Sequence, residues 1–147
     1  MRYVHTNIAA RDWRKLADFY INVFQCREKP PERNLSGEWL DRATGLSQAS
    51  LQGIHLWLPG YEGHGPTLEI FTYASMGGDR ELRASDPGFT HIAFEVDDVE
   101  AVFQLALEHG GTRLGKVTEK EVSGVGLLTL VYFRDPEGNI VEIQSWK

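Results

Sequence analysis

The chain has 147 residues, 41% of them hydrophobic, and a formal charge of −6 at pH 7, enough apolar material for one domain or two small modules sharing a core. Its 15 Lys and Arg form no long basic run, which excludes a nucleic-acid or anionic-membrane surface, and no stretch approaches the roughly 20 apolar residues of a membrane span. The lone Cys26 cannot make an internal disulfide and the start of the chain lacks the apolar stretch of a signal peptide, so a cytoplasmic protein is expected.

Taken in order, residues 2–8 read as a strand, and Asp12 is placed to cap a helix over 13–24. Trp13, Leu16, Ala17, Tyr20, Val23 and Phe24 follow the i, i+3, i+4, i+7 rule there and face a core. Residues 25–34, with Pro30-Pro31 and several charges, fit an edge strand running into a loop, since proline cannot donate to a sheet ladder. Residues 36–45 form a short helical insertion, within about 34–47, that stops at Gly45. Trp39 and Leu40 on it are suited to a cavity mouth, a neighbouring subunit or simple local packing. Strands at 50–58 and 67–73 make a hairpin around the glycine-rich turn 59–66. The polar stretch 75–87 reads as a linker.

Beyond it the pattern repeats. A strand at 89–96 leads into a helix at about 98–109, with Asp97 and Glu100 spaced like a capping box and Gly110-Gly111 as the stop. Strands follow at 112–117, 127–133 and 140–146, the last two joined by the turn 134–139. Each half thus reads β-α-β-β-β. A duplicated unit is the expected architecture, with modules at 1–74 and 88–147.

The duplication extends to chemistry. His5 and His91 occupy matching places on the first strands, and Glu69 and Glu142 matching places on the last. Each glutamate points away from the apolar neighbours on either side of it in its strand, and a buried carboxylate there needs partners. Two imidazoles and two carboxylates are a donor set suited to Zn²⁺, Ni²⁺, Co²⁺, Mn²⁺ or Fe²⁺. Open positions on such an ion are what a Lewis-acid catalyst uses.

With Val4-His5-Thr6, Asp18-Phe19-Tyr20, Leu68-Glu69-Ile70, Thr90-His91-Ile92-Ala93-Phe94-Glu95-Val96-Asp97-Asp98 and Phe133-Arg134-Asp135-Pro136-Glu137-Gly138-Asn139-Ile140-Val141-Glu142, nearly the whole chain resembles the vicinal-oxygen-chelate superfamily. Glyoxalase I, methylmalonyl-CoA epimerase, extradiol dioxygenases and the fosfomycin and bleomycin resistance proteins belong to it. The resemblance implies an α+β fold of two tandem βαβββ modules, together a single domain, forming a curved mixed sheet around a central cleft. It implies a divalent metal ion held by His5, Glu69, His91 and Glu142. The order His, Glu, His, Glu is most similar to bacterial glyoxalase I. The two anchors that hold glutathione in those proteins, an Arg and an Asn, are replaced here by Ala9 and Tyr73, so the resemblance implies the metal chemistry and not the glutathione substrate.

The implied reaction is proton abstraction next to a carbonyl of a small oxygenated substrate, as in lyases, isomerases and epimerases, with Glu142 and then Glu69 as the base. His55, Trp57, Phe71, Tyr73 and Tyr132 are the candidate substrate contacts, His55 having packing on the outer sheet face as its alternative. Glu95, on the strand face of His91, is a candidate support for that ligand, Arg134 belongs either to substrate or to the last turn, and Cys26 is expected to be inert. His64 and His109 carry no assigned role, though His109 suits a helix C-terminus. Two other readings compete: an Fe²⁺ extradiol dioxygenase, which would need only two histidines and one glutamate, and a bleomycin-resistance-type sequestering protein, whose relatives lack the ligands. The family also implies a homodimer.

Overall fold

The computed structural model describes residues 1–61, 63, 65–78 and 81–147. His64 and Glu62 of the expected turn lie outside the described residues, as do Asp79 and Arg80 of the expected linker. The fold is mixed α+β, divided into two compact units, Met1–Asp79 and Arg80–Lys147. No helix among the described residues is long and apolar enough to cross a membrane.

The first unit runs β1 (His5–Ala9), α1 (Trp13–Phe24), β2 (Arg27–Ser36), α2 (Glu38–Thr44), β3 (Ser50–Trp57) and β4 (Thr67–Tyr73). Its sheet has the order β1-β4-β3-β2, with β1 and β4 parallel and the other pairs antiparallel. Asp12 caps α1 by accepting from the Lys15 N–H at 3.1 Å. Leu16, Phe19, Tyr20 and Val23 on α1, with Ile54, Leu56, Leu68 and Ile70 of the sheet, are all buried, and this apolar layer fixes α1 on one face. The opposite face is therefore left for polar side chains at alternate positions.

The strand β2 is an edge, and its register slips between Lys29 and Arg33, around Pro30-Pro31. It runs two residues further than the sequence pattern suggests. On α2, Leu40 packs against Ala49, Leu51 and Phe71, with Leu35 and Tyr73 at the margin, while Trp39 stays exposed and donates its indole N–H to the Ser36 carbonyl at 3.0 Å. Local packing through Leu40 is thus what holds the insertion.

The second unit runs β5 (His91–Glu95), α3 (Val99–Glu108), β6 (Thr112–Arg113), β7 (Thr118–Val122), β8 (Gly126–Arg134) and β9 (Ile140–Trp146). The order is β5-β9-β8-β6, with β7 also paired to β8. Two expectations need correction. The strand expected over 112–117 is two residues long, and a further strand, β7, forms a hairpin with β8. Its sequence, Thr118-Glu119-Lys120-Glu121-Val122, is polar and mostly exposed, so it carries no apolar alternation. The cap of α3 is Asp98, accepting from the Ala101 N–H at 3.0 Å, and not Asp97. Phe103 and Ala106 of α3 and Val131, Phe133, Val141 and Ile143 of the sheet are buried, so this unit repeats the one-sided layering of the first.

Candidate metal-ligand pairs and their supports

In the first unit the site face carries His5 from β1, Glu69 from β4 and His55 from β3. The β3–β4 register sets His55 directly opposite Glu69, and the parallel β1–β4 register sets Asn7 beside it. The His5 Nε2 lies 3.2 Å from Glu69 Oε2, the His55 Nε2 lies 3.0 Å from Oε1, and Asn7 donates to Oε2 at 3.5 Å. The carboxylate is thus partnered on both oxygens, as its burial requires. The Nδ1 of His55 lies 3.2 Å from the Thr67 hydroxyl. Burial first, and then the charges of Arg33, Lys29 and His5, push the His55 imidazole down to about 4. A neutral ring facing a carboxylate must carry its proton on Nε2, so Thr67 O–H donates to Nδ1.

Phe71 supports this cluster from the side, its ring edge-on to His55 at 5.8 Å. Gly53 makes room for it: a Cβ at that position would stand 2.5 Å from the Phe71 ring and 2.0 Å from the Ile70 carbonyl oxygen.

The second unit pairs its glutamate with a first-strand histidine in the same way, but has Ala93 where the first has Asn7. The His91 Nε2 lies 3.2 Å from Glu142 Oε2. Tyr132 stands directly opposite Glu142, at the place His55 holds in the first unit. Burial, then its hydrogen bond to Glu142 and that carboxylate's charge, raise the Tyr132 phenol above its ordinary value, so it is protonated at neutral pH and donates to the carboxylate. The His91 and Tyr132 rings meet edge to face at 5.2 Å. Nδ1 of His91 is 3.1 Å from the Thr90 hydroxyl, whereas Glu95 is exposed and stands opposite Gln144.

Of the expected site residues, the structure brings together His5, His55, Glu69 and Phe71 in one unit, and His91, Tyr132 and Glu142 in the other. Trp57 lies under the Lys29 ammonium at 4.3 Å, and Tyr73 borders the apolar cluster under α2. Arg134 belongs to the turn: it donates to the Gly138 carbonyl at 2.8 Å and the Leu82 carbonyl at 2.7 Å. Asn7, Thr67 and Thr90 are supports that the sequence pattern did not single out. Their signal is positional, since Thr67 and Thr90 stand two residues before Glu69 and one before His91.

The donor set fits a metal in part. A first-row ion about 2.1 Å from both an imidazole nitrogen and a carboxylate oxygen would hold them near the 3.2 Å seen in each pair. Among the described residues, however, no group of three or more His, Cys, Asp and Glu side chains is gathered in an ion-holding arrangement. Each unit offers a pair, not a complete shell.

The family model for the Glyoxalase/Bleomycin resistance protein/Dioxygenase superfamily matches residues 2–143. Similar solved structures include a glyoxalase family protein from Bacillus cereus, at 21% identity and a TM-score of 0.80 over 99% of this chain and 93% of that one. A glyoxalase/bleomycin resistance protein/dioxygenase family enzyme from Burkholderia phytofirmans PsJN matches at 16% and 0.59, over 97% of each chain. A glyoxalase family protein from Enterococcus faecalis matches at 20% and 0.58, over 98% and 95%. No curated protein matches the sequence.

Proposed function

Since this chain belongs to the Glyoxalase/Bleomycin resistance protein/Dioxygenase superfamily, we propose that it is a divalent-metal-dependent enzyme that removes a proton next to a carbonyl of a small oxygenated substrate, in the manner of the lyases, isomerases and epimerases. The observation that carries the proposal is the duplicated pair, in which a first-strand histidine and a last-strand glutamate approach to 3.2 Å in each unit. In this reading His5, Glu69, His91 and Glu142 are the ligands of one Zn²⁺, Ni²⁺, Co²⁺, Mn²⁺ or Fe²⁺. The ion, when bound, supplies Lewis acidity toward the substrate oxygens.

The chain's own residues divide the remaining work. Glu142 is the first candidate for the base: its partners are His91 and Tyr132, which leaves lone pairs to take a proton. Glu69 is the second candidate and is more heavily engaged, by His5, His55 and Asn7. Tyr132, kept protonated, orients the Glu142 carboxylate, and Thr67 holds His55 in the tautomer that orients Glu69. With Ala9 and Tyr73 at the two glutathione-anchoring positions, the reading takes the metal chemistry and not glutathione as the substrate.

Elemental analysis of the purified chain beside His5→Ala and Glu142→Ala tests the proposal. About one first-row metal per chain is expected in the wild type and a loss of it in both variants. No metal in the wild type after reconstitution would overturn the enzyme reading in favour of a sequestering protein, and iron alone with oxygen-dependent ring cleavage of a catechol would favour the dioxygenase. Light scattering on the same preparation gives the assembly, in this reading a homodimer of twice the 16.6 kDa chain.

A further inference from the structure

The edge strand β2 sorts its charges by face. Lys29 stands directly opposite His55, and Arg33 opposite Gly53, two residues from His55 along β3. Directly opposed residues of an antiparallel pair share a face, so both cations lie on the side of His55 and Glu69. Burial agrees, since Lys29, Arg33 and Leu35 are half-buried while Glu28, Glu32 and Asn34 are exposed. The acids go the other way. Glu32 forms a two-pronged pair with Arg14 of α1, both contacts at 2.9 Å, and Glu28 is opposite Leu56, whose side chain is in the buried layer. The register slip at Pro30-Pro31 is what allows Lys29 and Arg33, four residues apart in sequence, to stand opposite positions only two residues apart on β3.

Lys29 and Arg33 are not neutralised where they stand. The Lys29 ammonium lies over the Trp57 ring and the Arg33 guanidinium donates to the Pro31 carbonyl; among the described residues neither forms an ion pair with a carboxylate. Two cations without a carboxylate partner leave net positive charge on this face beside His55. A negative ligand offsets that charge.

We propose that Lys29 and Arg33, with Trp57 as an apolar floor, form an anion subsite beside His55, on the sheet face that carries Glu69, and that the substrate carries a carboxylate or phosphate group that docks there. The word substrate rests on the enzyme reading above; the anion subsite does not. The lysine supplies a compact charge and the arginine a planar fork, a combination that accepts either oxyanion.

The test is a pair of titrations of the metal-free full chain, followed by ¹⁵N–¹H correlation spectra at ionic strength fixed with sodium chloride. One uses inorganic phosphate and the other malonate. Saturable shifts at Lys29, Arg33, His55 and Trp57 are expected with at least one anion, weakened tenfold or more in the double variant Lys29→Gln/Arg33→Gln, whose dispersed spectrum reports that it folds. Response to phosphate alone assigns a phosphoester, and response to malonate alone assigns a carboxylate. Shifts that do not saturate with either anion, or equal affinity in the double variant, would overturn the subsite. Metal content is read separately. A wild type without metal that still binds the anion sinks the enzyme reading and keeps the subsite, whereas a metal-loaded chain indifferent to both anions does the reverse.

Discussion

At the scale of single residues, the two halves keep the same glutamate and change its opposite neighbour. His55 faces Glu69 and Tyr132 faces Glu142, each across an antiparallel pair, so one carboxylate has an imidazole beside it and the other a phenol. The glycine that makes the first arrangement possible is Gly53, whose missing Cβ is replaced in space by the Phe71 ring and the Ile70 carbonyl. Gly53→Ala is therefore expected to cost about 1–3 kcal/mol, the range for forcing an extra methylene into a packed site, as a lowered urea midpoint. Because the closer obstacle is backbone, trimming the ring in Gly53→Ala/Phe71→Leu should not restore the wild-type midpoint. Full restoration would mean that ring crowding alone sets the requirement.

Among the elements, legibility in the sequence followed the number of buried faces. The helix α1 has a continuous apolar stripe and a side-chain cap, and its observed span, Trp13–Phe24, agrees with the pattern. The strand β7 has no buried face to mark it, and β2 hides its alternation behind Pro30-Pro31, so the facing of Lys29 and Arg33 toward His55 emerges only with the register. The four candidate ligands stood out because they recur in the two halves; His55 was legible only as a candidate substrate contact and not as the partner of Glu69, because its counterpart is Tyr132. The turn before β9 was legible as Asp-Pro-Glu-Gly-Asn, but its strength was not. Asp135, only 2% exposed, accepts from the Glu137 and Asn139 N–H groups at 2.9 Å and from the Asn139 side chain. Asp135→Ala would leave these donors unpaired and should cost about 2–4 kcal/mol in chemical unfolding. Asp135→Asn keeps the oxygen that both backbone groups use and should cost about 1 kcal/mol. Equal losses in the two variants would argue that charge, rather than acceptor geometry, holds the turn that delivers Glu142.

For the molecule as a whole, Cys26 has a buried thiol whose ionisation is shifted by burial alone. It follows the left-handed Gln25 that ends α1, is 2% exposed, and has its thiol pushed by burial up to about 12. The unfolded chain ionises this thiol near the ordinary value of 9.0, so above that pH the unfolded state binds fewer protons than the folded one and stability falls as pH rises. The contribution is intact below about pH 9 and is lost progressively between 9 and 12. By pH 10.5 the loss amounts to about 2 kcal/mol. Urea unfolding of the wild type and Cys26→Ala at pH 7.5 and pH 10.5 isolates it, because every other group titrates alike in the two proteins. The wild type should lose about 2 kcal/mol more than the variant over that interval, and its thiol should stay unreactive toward a disulfide reagent at pH 8 until the chain is denatured. Parallel losses in the two proteins, or fast labelling of the native chain, would mean that the thiol reaches solvent and that the packing at the end of α1 opens without global unfolding.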